Sequence, residues 1–122
     1  MNKYIDVMKR TTELAETCLK GLEHVKSKLN EGEFDSTMMM FHDSANAFYQ
    51  MHKSIQPVLK ELPDNELESL SASLRDTIEL DVSTYEQGDR GKVLEILQFT
   101  LLPQYKKWQA ELNRCFRPYL LS

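Results

Sequence analysis

The stretch FDSTMMMFHDSANAFYQMHKSIQPVLKEL, residues 34–62, carries the most regular pattern in the chain. Phe34, Met38, Phe41, Ala45, Phe48, His52, Ile55, Leu59 and Leu62 succeed one another in alternating steps of four and three. A repeat of about 3.5 residues is the seam of a helix that packs lengthwise on others at a shallow angle, so the segment predicts a long bundle helix. Pro57 lies inside it. Proline lacks the backbone N–H and its ring clashes with the preceding turn, which predicts a kink near Ser54 or a break into two helices. Leu62-Pro63-Asp64 closes the segment, because the residue before a proline is pushed out of helical geometry. Met38-Met39-Met40 cannot all face one core, which leaves at least one methionine at the surface.

Upstream, Ile5, Met8, Thr12, Ala15, Leu19, Leu22 and Leu29 form a helical stripe interrupted at Lys26, with Val7, Leu14, Cys18 and Val25 beside it. They predict an amphipathic helix over about residues 2–29, ended at Gly32 by the one residue type at ease in the left-handed conformation. Downstream, Asp64 is placed to cap a third helix whose buried stripe is Leu67, Leu70, Leu74, Ile78, Val82 and Tyr85. Gln87-Gly88-Asp89-Arg90-Gly91 is the next connection, with Asp89 as cap. The last helix carries Leu94, Leu97, Leu101, Tyr105, Trp108, Leu112, Cys115 and Tyr119, and Pro103 should bend it. Connections this short force each helix to pack beside its predecessor. The expected fold is therefore all-α, a single domain over residues 1–122: an antiparallel up-down-up-down four-helix bundle with proline kinks in its second and fourth helices.

Composition limits the function. Fifteen Lys and Arg stand against 19 Asp and Glu, a net charge of -4 spread over 122 residues with no basic block. Nucleic acid and anionic membrane both call for concentrated positive charge, so neither is expected as a partner. No segment reaches the roughly 20 apolar residues of a membrane span, and the N-terminus meets Asp6 and Lys9-Arg10 before an apolar core could form, unlike a signal peptide. Cys18 and Cys115 read as reduced thiols on helix faces, which places the protein in the cytoplasm.

The chemistries that helical bundles carry are each missing a part. Di-iron bundles use Glu-x-x-His, but Gly21, Met39 and Tyr49 stand three residues before His24, His42 and His52. No His or Cys pair has zinc spacing. The last helix holds Arg114 and Arg117 but no histidine follows residue 52, unlike helical nucleases of the toxin type. Gly88-Asp89-Arg90-Gly91 lacks the Gly-Lys-Ser/Thr ending of a phosphate loop. The acids Asp64, Glu66, Glu68, Glu79 and Asp81 read as surface charge. No metal, cofactor or catalytic residue is expected, and the protein is not expected to be an enzyme. One alternative is kept. Histidine phosphotransfer domains are bundles of similar length with an exposed His-x-x-Lys-Gly, and His42 lies on the second helix, although Ala45 and Asn46 stand where the Lys and Gly would be.

What remains is surface. Phe116, Tyr119, Leu120 and Leu121 belong to an apolar C-terminal run, Cys115–Ser122, which Pro118 should release from the helix. It must fold back over its own bundle, the favoured expectation, or dock on something else, since exposed apolar patches are costly in monomers. Met39 and Met40 offer a second, adaptable surface. The expected partner is an unidentified protein, and the seam and tail also suit a homodimer.

Tyr85–Leu112, YEQGDRGKVLEILQFTLLPQYKKWQAEL, resembles the C-terminal part of a group of small, uncharacterised helical proteins of Gram-positive bacteria. In these a Glu-x-Gly-Asp turn precedes an apolar helix with Leu-Leu-Pro and a later Trp. The resemblance implies a cytoplasmic bacterial bundle and no catalysis. Small flagellar and secretion chaperones are similar in size, acidity and helix number, without a shared motif.

Overall fold

The computed structural model describes residues 1–121. Among them every regular element is helical. A 3-10 turn, Asn2–Tyr4, leads into α1 (Ile5–Asn30), then α2 (Asp35–Ser54), the single turn α3 (Gln56–Leu59), α4 (Leu67–Glu86), α5 (Arg90–Ile96), a π turn (Leu97–Leu101) and α6 (Leu102–Leu120). α5, the π turn and α6 are continuous, so the chain has four long helical runs. No helix among the described residues is long and apolar enough to cross a membrane.

Local chemistry sets most of the boundaries. Gly32 takes φ +87°, and the N–H groups of Gly32 and Glu33 turn back to the carbonyls of Leu29 and Lys28, each at 3.0 Å, a left-handed termination. Asp89 caps α5, its carboxylate accepting from Lys92 N–H at 3.1 Å. Asp64 caps nothing. α4 begins later, where Asn65 Oδ1 accepts from Leu67 N–H at 2.9 Å and Glu111 Oε2 accepts from Glu66 N–H at 2.8 Å. Glu111 is held in turn by Arg114, whose Nε and Nη2 donate at 2.6 and 2.8 Å. Those bonds pull its carboxyl down to about 2.

The three inner prolines act differently. Pro57 lies in the first turn of α3, after α2 stops at Ser54. Ahead of Pro103, where its ring would strike the Phe99 carbonyl four residues back, the chain widens into the π turn. Pro118 does not release the tail, because α6 runs through it to Leu120. It lies in the last turn, where its missing N–H costs one terminal hydrogen bond, and Leu121 N–H still reaches Arg117 O at 3.1 Å.

α1 packs on α2 and α6; α4 packs on α5, the π turn and α6, and only sparsely on α2. The core row of α1 is Met8, Thr11, Ala15, Cys18, Leu22, Val25 and Leu29, in steps of three and four, while Leu14 is 40% exposed. Small side chains let α1 and α2 approach closely. A Cβ on Gly21 would meet Ser44 Oγ at 2.9 Å, and Cys18 donates its S–H to Ser44 O at 3.4 Å. Two aromatic groups fill the interior. Tyr85 lies 5.2 Å from both Phe34 and Phe41, and Trp108 lies 5.1 Å from Phe48 and 5.3 Å from Tyr105. Tyr105 donates its hydroxyl proton to Ala15 O at 2.7 Å, joining α6 to α1. Tyr105→Phe is expected to cost about 1 kcal/mol, the net value of one buried hydrogen bond, as a fall in the urea midpoint without a change in slope.

Candidate functional site

Where α2 and α4 face each other loosely, a cleft of about 380 Å³ opens between His42, Ala45, Asn46 and Tyr49 on one wall and Glu79, Val82, Ser83 and Glu86 on the other. Helical spacing puts each set of four on one face of its helix. Ala45, Val82 and the Tyr49 ring give it an apolar part. The rims are polar, and neither Glu79 nor Glu86 belongs to a salt bridge among the described residues. Burial, then the charge of Glu79, raises the Tyr49 hydroxyl against the opposing pull of Arg75, so it stays protonated. Met39, three residues before His42 on the same face of α2, is 74% exposed.

A larger cleft of about 540 Å³ lies between α1 and α6, lined by Glu23, Lys26, Gln98 and Lys106 among others. Two of its charges pair across the gap, with Lys106 Nζ 3.6 Å from Glu23 Oε1. In the α2–α4 cleft neither Glu79 nor Glu86 is paired in this way.

The expected surface residues separate. Met40 is half-buried and lines a different groove, between α1 and α2, with Leu14, Gly21 and Ala47. Phe116 is fully buried in the core of its own chain. Tyr119 and Leu120 are half-buried against that core, and Leu121 is 73% exposed. The expected fold-back does not occur: these residues are the last turns of α6, packed on the core up to Leu120, and Ser122 lies outside the described residues. Of the expected set, only His42 lines the α2–α4 cleft, with Met39 exposed about one turn away on α2.

His52, half-buried beside Phe48, has its basicity lowered by burial, and the Gln56 amide lies 3.1 Å from its Nε2. Burial also raises both free thiols, Cys18 and Cys115, away from the thiolate form that a nucleophile needs. Among the described residues no three His, Cys, Asp or Glu side chains gather as a metal site would require.

One residue read as surface charge is nothing of the kind. Asp81 has no exposed area, and neither carboxylate oxygen has a hydrogen-bond partner. Desolvation drives its carboxyl from 3.8 to about 8, which keeps it protonated at neutral pH. The signal was present in the spacing. Leu74, Ile78, Asp81 and Tyr85 step by four, three and four, and Val82 takes that place only if hydrophobicity outweighs register.

No curated protein and no solved structure matches the chain. A family model described as a domain of unknown function (DUF8042) matches residues 6–111. That span extends the family likeness well beyond the Tyr85–Leu112 stretch, through the first three long helical runs. The chain belongs to the DUF8042 family.

Proposed function

We propose that this protein is a non-enzymatic interaction module: an antiparallel four-helix bundle of the cytoplasm whose α2–α4 groove receives a basic amphipathic helix from a protein partner. The observation that carries the reading is the groove itself, lined by Ala45, Tyr49 and Val82 together with two carboxylates, Glu79 and Glu86, that form no salt bridge among the described residues. A partner helix with an apolar residue against that apolar part and Lys or Arg one turn to either side would match both features. Exposed Met39 extends the apolar strip at one end and adapts to varied side chains. The phosphotransfer alternative is weaker on the same ground, because a phosphoryl group on His42 would bring two negative charges beside Glu79 and Glu86.

A labelled Lys/Leu amphipathic peptide and its Glu/Leu counterpart, titrated against the full chain by fluorescence anisotropy, test this. The basic peptide is expected to bind and to lose at least tenfold in affinity on Glu79→Lys/Glu86→Lys, while His42→Gln changes it little. The Glu/Leu peptide should not bind. Equal binding of both peptides, or indifference to the charge reversal, would refute the groove.

A further inference from the structure

Among the described residues Asp81 is the only acidic or basic side chain that the fold closes off completely. Nothing near it is arranged to hold a carboxylate. Its neighbours one turn away, Thr77 and Thr84, give their hydroxyl protons to the carbonyls of Ser73 and Leu80 on their own helix, at 3.2 and 2.8 Å. Tyr85 shares its hydroxyl with Thr37 at 2.9 Å. Tyr85, on the same helix, feels the Asp81 charge. Toward α4, α2 presents His42, Tyr49 and His52 and α6 presents Glu111; α5 carries Arg90, Lys92 and Glu95, all exposed, and the π turn carries no ionisable residue. None of these contributes to the shift at Asp81, whose cause is desolvation alone.

The surroundings are also the part of the fold best able to give way. The Gln87–Asp89 turn, with Gly88 at φ +73°, folds α5 back on α4, and the Glu66–Glu111 hydrogen bond ties the start of α4 to α6. Between those anchors Asp81 lies seven residues before Gly88, on the helix that packs against α5 and the π turn. Turns of π helix cluster where helices do work other than packing. On its other side α4 meets α2 only loosely, across the open groove. The carboxyl therefore lies in the helix with the least support on one flank.

We propose that Asp81 is a release for α4: while the carboxyl keeps its proton the helix stays seated, and when the proton passes to solvent water the buried charge drives α4 off the core and opens its interface with α2. The proposal goes beyond the docking reading and needs no occupant in the groove. A charge without partners in a dry interior is stabilised only by reaching water, and the linkage between proton loss and opening is then compulsory.

Amide hydrogen exchange of the full chain, followed residue by residue by NMR at pH 5.5, 6.5 and 7.5, reads the opening directly once intrinsic exchange rates are divided out. In wild type the opening constant of α4 amides is expected to rise about tenfold per pH unit, close to 100-fold over the range. Asp81→Asn and Asp81→Leu should both abolish that rise, and the second guards against a fault peculiar to a buried amide. Flat protection of α4 in wild type would overturn the proposal, as would an equal rise in the variants. Opening constants for α4 no larger than those of α1 and α6 would overturn it too, since they would report unfolding of the whole chain.

Discussion

Asp81→Asn should leave stability nearly unchanged at pH 4 and raise it strongly at pH 8. The direction follows from which state binds the proton. Between the ordinary carboxyl value of 3.8 and the folded value of about 8, the folded chain holds a proton that the unfolded chain has released. Stability contributed by the neutral form is complete below 3.8 and is lost as pH rises toward 8, by about 1.4 kcal/mol per pH unit. Across the window the loss is on the order of 5 kcal/mol, a large share of the 5–15 kcal/mol typical of a whole domain. Asparagine takes no part in that loss. Urea unfolding at pH 4, 6 and 8 should give diverging midpoints for the two proteins, and parallel curves would show that Asp81 is solvated or paired.

Trp108→Ala is the second large effect, and a destabilising one. The side chain is the largest of those fully buried, edge-on to Phe48 and beside Tyr105. Its removal should cost about 4 kcal/mol, the usual range for emptying an aromatic site in a packed core. Trp108→Phe should cost less than half as much. It keeps an aromatic face toward Phe48 and also deletes an indole N–H that is buried without a partner, so the lost packing is offset by a polar group no longer stranded. Thermal unfolding of the two variants measures the difference. Equal losses would mean that a phenyl ring does not refill the site.

The helical content and the ends of the long runs were legible because they depend on neighbours in sequence. Gly32 and Asp89 show it, each acting within one turn of its own position. Asp64 was misread for the converse reason, since the start of α4 is held by Glu111, 45 residues away. Along α2 and α3 the seam was found at Phe34, Phe41, Ala45, Phe48 and Ile55 and missed elsewhere. The fully buried positions include Thr37, Met51 and Val58, where apolarity and the four-three step had favoured Met38, His52 and Leu59. Thr37 can be inside because its hydroxyl bonds to Phe34 O and Tyr85, at 2.6 and 2.9 Å. The same preference for apolar residues hid Asp81 behind Val82. Met39 and His42 were visible as surface, but that α2 and α4 stand apart there is a long-range fact that no local pattern encodes.

The π turn bears on how the chain can change in length. Val93, Leu97, Leu101 and Tyr105 recur every four residues and are all buried. In an unbroken α-helix those twelve residues would drift by about 120° around the axis, a third of a turn, and could not share one face. The π turn takes up one residue, so the helix behaves as though eleven separated Val93 from Tyr105, close to three whole turns. Leu97–Leu101 is in effect a slot for one surplus residue, with solvent-facing Phe99 inside it. A homologue one residue shorter at this point could keep both halves of the helix facing the core, provided Pro103 were also replaced. A one-residue gap anywhere between Pro103 and Trp108 would swing the remainder by about 100° and carry the tryptophan out of the interior.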